Sequence, residues 1–237
     1  MEALIRGAAS LGLDLTPQQV KRFELYLREL LDWNRRVNLT AIVDPQEVQR
    51  LHFLDSLTLY QALPLSATRG GRLLDVGTGA GFPGLPLKIA LPGMSVVLVE
   101  STGKKVRFLE HIVSVLELEG VAIRRGRAEE LAHGDDLRGA FDVVTSRALA
   151  SLNVLAELTL PFCRRGGIVI VPKKGRIDEE IRKAERPLHV LGGRLVDTEK
   201  VEVEGLGNGR FLLVIEKVEE TPAQYPRRPG IPRKRPL

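Results

Sequence analysis

Cysteine is almost missing from this chain of 237 residues. The single one, Cys163, excludes an internal disulfide and fits a reducing compartment. No basic-then-apolar leader and no long uncharged apolar run is present, which reads as a soluble, cytoplasmic protein with no membrane partner. No internal repeat is evident, no metal site is expected, and the chain is taken to act as a monomer. Asparagine is scarce and arginine outnumbers lysine 25 to 10, a faint mark of a hot habitat. Acid is missing altogether from residues 224–237, which hold Arg227, Arg228, Arg233, Lys234 and Arg235. Those five cations equal the formal net charge of +5, so residues 1–223 sum to zero. A basic end on a neutral body suggests contact with phosphates, or else a solubilising tail. Pro226, Pro229, Pro232 and Pro236 argue against a helix or a central strand there.

What is present is organised around residues 73–84, Leu-Leu-Asp-Val-Gly-Thr-Gly-Ala-Gly-Phe-Pro-Gly. Apolar residues lead into Asp75, glycines stand at 77, 79 and 81, and Pro83 can open a helix. This predicts a strand, a tight turn and a helix start. Glycines there let the backbone approach a ligand that any Cβ would push away, and the turn amides favour a negative group. The dinucleotide fingerprint G-x-G-x-x-G would need glycine where Phe82 stands. The acid two residues before the first glycine, with this spacing, looks like motif I of the S-adenosylmethionine-dependent methyltransferases.

Residues 1–60 read as a helical extension. Thr16-Pro17-Gln18-Gln19 is a capping box, followed by Val20, Phe23, Leu27 and Leu30 at helical spacing. Asp44-Pro45-Gln46-Glu47 opens a second helix. Between them, Trp33 to Thr40 is polar and basic with one aromatic, which fits an RNA contact or a helix end packed on the next domain. Residues 61–71 read as a connector. From 72 to 223 strands alternate with helices: 72–76, 95–100, a third from 121, 141–146, 167–171, then 194–203 and 211–217 around a loop holding Gly205, Gly207 and Gly209. The pattern predicts an α/β protein with a doubly wound, mostly parallel sheet, an antiparallel C-terminal strand, and ligand at the carboxyl ends of the strands.

Glu100 ends the second strand, where an acid can accept both ribose hydroxyls of a nucleoside cofactor. Ser101 or Thr102 can cap the next helix. After the third strand, the Ala128 amide and the Glu129 carboxylate could read an adenine edge. Ser146-Arg147 ends the fourth strand, where Arg147 could hold a carboxylate or a phosphate. Two devices are missing. Ser146-Arg147-Ala148-Leu149 stands where amino-group methyltransferases carry Asp/Asn-Pro-Pro-aromatic, and Cys163 lies away from the place of a cytosine-attacking nucleophile. A ring nitrogen with a lone pair, such as guanine N7, needs neither, so no catalytic side chain is expected and catalysis would be proximity and orientation.

Asn34 to Thr40, His52-Phe53-Leu54-Asp55-Ser56, Asp75 to Gly84, Ser146-Arg147-Ala148 and Tyr225 to Pro232 together resemble RsmG/GidB, the bacterial small-subunit rRNA guanine-N7 methyltransferases. The likeness runs over nearly the whole chain. It implies a Rossmann-like class I methyltransferase fold, S-adenosylmethionine as cofactor, and methylation of guanine 527 in 16S rRNA or a small-subunit precursor. It implies cofactor contacts at Gly77, Phe82, Glu100, Ser101, Thr102, Ala128, Glu129 and Arg147, to which the turn geometry adds Gly79. Arg35, Arg36, His52, Lys173, Lys174, Arg227 and Arg228 are RNA candidates by charge and position. An NAD-dependent oxidoreductase and a non-catalytic RNA-binding protein of this fold remain the alternatives.

Overall fold

The computed structural model describes residues 1–147 and 150–237, so Ala148 and Leu149 of the fourth-strand segment lie outside the described residues. Its strands are β1 (Arg72–Val76), β2 (Ser95–Glu100), β3 (Val121–Arg125), β4 (Phe141–Thr145), β5 (Cys163–Lys174), β6 (Gly193–Val201) and β7 (Arg210–Lys217). They form one sheet in the order β3-β2-β1-β4-β5-β7-β6. The first five run parallel. β7 runs antiparallel to both β5 and β6. The expected mostly parallel sheet with an antiparallel C-terminal strand is therefore present. Strand order reverses between β1 and β4, which opens a crevice at their carboxyl ends. An antiparallel β7 also delivers its first residue, Arg210, to that same edge.

The capping box forms as the spacing requires. The Thr16 Oγ1 accepts from the Gln19 amide (3.3 Å) and the Thr16 amide donates to Gln19 Oε1 (2.8 Å), opening the helix Pro17–Asn34. The Gln19 amide group then donates to the carbonyls of Ile89 and Ala90, tying this helix to the one behind the glycine loop. Phe23, Tyr26 and Leu30 share one core with Phe53, Leu57, Phe82, Leu85 and Phe108, so the helical extension is packed continuously onto one face of the sheet. The opposite face carries Leu74, Val144, Leu155, Leu188 and Leu213. Asp44 caps the helix Pro45–Val48, which passes into a π-helical turn, Gln49–Leu54, before Asp55–Leu57. Such turns re-aim side chains and recur at functional sites. This one carries His52.

Three elements differ from the reading of the sequence. β5 begins at Cys163, ahead of the Gly166-Gly167 pair that seemed to open it. A helix spans Asp178–Val190, with Pro187 in its final turn, where the pattern had suggested nothing. The third difference is the C-terminal segment. It contains a helical turn, Ile231–Lys234, because Pro232 falls in the first helical positions, where a missing N–H costs nothing. Nor is it a loose arm. Arg138 donates to the carbonyls of Thr221 (2.9 Å) and Tyr225 (2.9 Å), and His133 Nε2 donates to the carbonyl of Pro226 (2.8 Å). Arg227 grips Glu157 through Nε (2.9 Å) and Nη2 (2.6 Å), and its amide adds a third contact (2.7 Å). The Glu157 side chain is 1% exposed. A charge count sees Arg227 as surplus; the fold sets a buried acid from a distant helix against it.

Candidate active site

The glycine loop leaves β1 with Gly77, Gly79 and Gly81 at φ of 70°, 63° and 98°, a region that side chains rarely adopt. The Gly77 and Thr78 amides donate to the Val99 carbonyl, which pins the turn to β2. Asp75 lies under the loop. Its Oδ2 accepts from Thr78 Oγ1 (2.6 Å) and from the Gly84 amide (2.9 Å). Oδ1 is buried without a partner among the described residues, and burial pushes the carboxyl up to about 6 against those two bonds. Asp75 thus shapes the loop from beneath rather than facing a ligand.

Glu100 links the loop to the next turn. Oε2 accepts from the Gly79 amide (3.1 Å) and Oε1 from the Thr102 amide (2.7 Å). Thr102 is the N-cap of the helix Gly103–Val115, but neither its hydroxyl nor that of Ser101 caps it; Glu100 takes the turn amide instead. Each carboxylate oxygen keeps lone-pair capacity for a hydroxyl donor. Around it lies a cavity of about 240 Å³ that brings together Gly77, Glu100, Ser101, Thr102, Ala128 and Glu129. Pockets that enclose a whole drug-sized ligand run to ~300–1,000 Å³. This one is smaller, of a size for a nucleoside, and at Gly79 a Cβ would meet nothing within 4 Å, so the loop is open there. Arg233 also lines the cavity, and the Gly230 amide donates to Glu129 Oε1 (3.0 Å). The C-terminal strap therefore forms one wall, a contribution that charge and proline content could not reveal.

Phe82 and Arg147 are not in that cavity. The Phe82 ring stacks with His52 (4.5 Å, 12°) and with Tyr26 (5.5 Å, 18°). The Arg147 guanidinium lies over it at 5.2 Å. Arg147 Nη1 donates to Asp55 Oδ2 (3.0 Å) and to the Leu51 carbonyl (3.2 Å), while Nη2 meets His52 Nδ1 (3.1 Å). A guanidinium has only donors, so Nδ1 must be the acceptor and Nε2 must carry the proton, which it gives to Thr40 Oγ1 (2.7 Å). Burial first, and Arg147 second, lower the imidazole to about 4. The expected result is an imidazole that stays neutral at pH 6 and titrates near 4, read by NMR of the ring protons. Unfolded chains take up that proton near 6.5, so His52 makes stability fall as pH drops from about 6.5 to about 4. Asp75, raised to about 6, acts in the opposite direction between its ordinary value and 6. The two nearly offset each other, and the ring titration is the cleaner measurement.

A family model described as rRNA small subunit methyltransferase G matches residues 19–205. Ribosomal RNA small subunit methyltransferase G of Dehalococcoides mccartyi is 50% identical over all of this chain and all of its own. The protein of the same name from Roseiflexus castenholzii is 49% identical, again over the whole of both chains. The chain belongs to the rRNA small subunit methyltransferase G family. It is an enzyme of the S-adenosylmethionine-dependent class, and the oxidoreductase alternative falls. Two solved structures show the fold at low identity. TrmN from Thermus thermophilus has a TM-score of 0.52 at 21% identity, covering 70% of this chain and 48% of its own. The Methanococcus jannaschii fibrillarin pre-rRNA processing protein scores 0.51 at 17%, covering 68% and 74%.

The RNA candidates scatter. Arg35 and Arg36 are exposed at the end of their helix, Arg36 paired with Asp32 (2.6 Å) and lying over Trp33. Trp33 itself packs on Phe108 and His111, and Asn34 ties down the backbone of Leu39 and Thr40, so this stretch is a packed helix end. Lys173 is held by Glu180 (2.6 Å) and the Ala150 carbonyl (2.8 Å). Arg227 is taken by Glu157, whereas Lys174 and Arg228 are exposed. Asp55, part of the His52–Ser56 motif but given no role, and Arg210, which no motif contained, join Arg147 in one ion-paired group: Arg210 Nε donates to Asp55 Oδ1 (2.7 Å). Cys163 is buried, and burial pushes its thiol up to about 12, far from a reactive thiolate. Cys163→Ala is expected to leave methyl transfer within about twofold in a radiolabel assay. Loss of turnover in a folded variant would demand a covalent mechanism. Among the described residues no helix is long and apolar enough to cross a membrane, and no cluster of His, Cys, Asp or Glu could hold a metal.

Proposed function

We propose that the chain transfers the methyl group of S-adenosylmethionine to N7 of guanine 527 in 16S rRNA, acting as a cytoplasmic monomer on the rRNA or a small-subunit precursor. Family membership and full-length likeness support the reaction class. The observation that carries the mechanism is the side-chain inventory at the end of β4. His52 is neutral, with one nitrogen on Arg147 and the other on Thr40, so it is not poised as a general base. Guanine N7 needs none. Its lone pair forms the new N–CH₃ bond as the S–CH₃ bond breaks, and no proton leaves.

The donor, when bound, supplies a sulfonium-activated methyl. The residues around it bind and orient. Glu100 would accept the ribose hydroxyls, Ala128 and Glu129 would read the adenine, and Gly77 and Gly79 would let the chain run close to the loop, with Ser101 and Thr102 on the rim. Phe82, fixed by its two stacked neighbours, would set the floor on which Arg147 faces the reacting side. Residues 1–60 and the strap 224–237 work in this reading as parts of one binding surface flanking the catalytic fold.

The test is methyl transfer from labelled S-adenosylmethionine to small subunits or 16S rRNA lacking the modification, with the product base identified by mass spectrometry. A label on another base or another nitrogen would overturn the assignment. Glu100→Ala is expected to weaken S-adenosylmethionine by about 1.5–3 kcal/mol, the worth of charge-assisted hydrogen bonds, in isothermal titration. Unchanged affinity would remove Glu100 from the site.

A further inference from the structure

Arg147 lines a second, larger cavity of about 400 Å³ that shares no lining residue with the one at Glu100. Its position follows from topology. β5 runs parallel to β4 and ends at Lys174; β7 runs antiparallel and starts at Arg210; both bring these ends to the edge where β4 delivers Arg147. The π-helical turn closes the remaining side with Leu51 and His52. The walls include Leu51, Pro172, Val201 and Leu212, and Asp55 lies within, between Arg147 and Arg210.

We infer that this cavity receives the target base itself, turned out of the RNA, and that Asp55 selects guanine. The inference rests on the methyltransferase reading above and adds the substrate subsite to it. Leu51, Pro172, Val201 and Leu212 offer a flat base apolar surface, the exposed Lys174 in the same lining suits the phosphate that the base carries, and enzymes that act on a base extrude it into a pocket. Asp55 uses one lone pair of Oδ2 on Arg147 and one of Oδ1 on Arg210, so each oxygen can accept again. Two carboxylate oxygens side by side match the adjacent N1–H and N2–H donors of guanine. Adenine would turn its N1 lone pair against the carboxylate, uracil offers a single N–H between two carbonyls, and cytosine sets an acceptor beside its amine. Arg147 completes the match. Its bonds to Leu51, Asp55 and His52 leave the Nε–H and one Nη2–H for the O6 of guanine. O6 and N7 share one edge of the ring. A base with O6 on Arg147 therefore turns N7 toward the end of β4 and the glycine loop. The ion pairs themselves hold the carboxylate in place, since the Arg147, Asp55 and Arg210 side chains are only 14%, 19% and 10% exposed.

The test uses the wild-type chain saturated with S-adenosylhomocysteine and titrated with guanosine, inosine and adenosine 5′-monophosphates, followed by methyl NMR. Guanosine monophosphate is expected to bind most tightly and shift the Leu51, Val201 and Leu212 methyls. Inosine monophosphate, which lacks the N2 amine, should be weaker by several-fold, and adenosine monophosphate weaker again. Equal binding of the three, binding elsewhere, or no binding at millimolar concentration would overturn the assignment. In Asp55→Asn, kcat/KM for unmodified small subunits should fall roughly tenfold to a hundredfold, as for a lost charged hydrogen bond, and the preference for guanosine monophosphate over inosine monophosphate should vanish. S-adenosylmethionine affinity should stay within about twofold. A variant that keeps the preference also overturns the assignment, and if Asp55→Asn fails to fold the wild-type ranking decides. Failure of wild type to methylate rRNA would instead strike the proposed function, so the two failures are distinguishable.

Discussion

A chain ending at Gln224 is expected to melt well below the full-length protein and to bind S-adenosylmethionine weakly. The segment's charge and proline content alone suggest the opposite, a dispensable basic arm whose loss flattens salt dependence and leaves the melt unchanged. The geometry overrides that reading. Glu157 sits on the helix Leu152–Thr159 with its carboxylate buried and satisfied by the amide and guanidinium of Arg227. Removing one partner of a buried ion pair costs about 3–5 kcal/mol, and for a chain of this length each kcal/mol is about 2–4 °C in Tm. Truncation also opens Glu157 to water, which puts the loss near the lower end, on the order of 6–12 °C. Arg227→Met keeps the strap but strands the acid, so it should cost at least as much. The cofactor effect has a separate cause. Without the strap, Glu129 loses the Gly230 amide and the cavity loses the wall that includes Arg233. Losing an N–H donor to a carboxylate is worth roughly tenfold in affinity. Calorimetry and a thermal melt on the two variants decide this. An unchanged melting temperature in both would show that the strap is not part of the folded body.

What the sequence made legible was whatever local chemistry dictates. The capping box at Thr16, the cap at Asp44, the glycine turn and the alternation of strand and helix are short-range signals, and each produced its element. Glu100 was readable as a cavity residue because in doubly wound sheets ligands lie outside the carboxyl ends of the strands, and it does line a cavity there. The remainder depends on groups far apart in the chain. Nothing near Asp55 marks it as the bridge between Arg147 and Arg210, because those two arrive from β4 and β7. Nothing near Phe82 marks its two stacked neighbours, which come from separate helices. The π turn escaped because hydrophobic periodicity does not distinguish it from an α-helix over so few residues. Helix Asp178–Val190 escaped because Pro187 reads as a breaker, although it falls in the final turn, after the preceding turns are already formed. Arg227 misled for a plainer reason: counting charge by segment assumes that charges are exposed.

Arg147→Met should abolish most methyl transfer while leaving S-adenosylmethionine binding nearly intact. The guanidinium lies over Phe82 and lines the larger cavity rather than the one at Glu100, so under the proposed function its loss falls on the reacting side. Removing one preorganised donor from such a site costs about 10²–10³ in rate. Folding should survive, since Asp55 keeps Arg210 as a partner and no carboxylate is stranded. The second readout is His52. In the native chain its Nδ1 accepts from Arg147, and the nearby positive charge reinforces burial in holding the ring near 4. With methionine in place, burial still lowers the imidazole, but the repulsion is gone and Asp55 continues to favour the protonated ring. The ring should therefore titrate above its native value and gain a proton at pH values where the native ring is neutral. A protonated His52 has donors on both nitrogens, so Thr40 Oγ1 still accepts from Nε2 while Nδ1–H turns to Asp55 or solvent. A merely structural arginine would lower the melting temperature without moving that titration. Near-native methyl transfer in the folded variant would show that Arg147 does not serve the reacting side, and a His52 that still titrates near 4 would show that Arg147 does not set the charge of that ring.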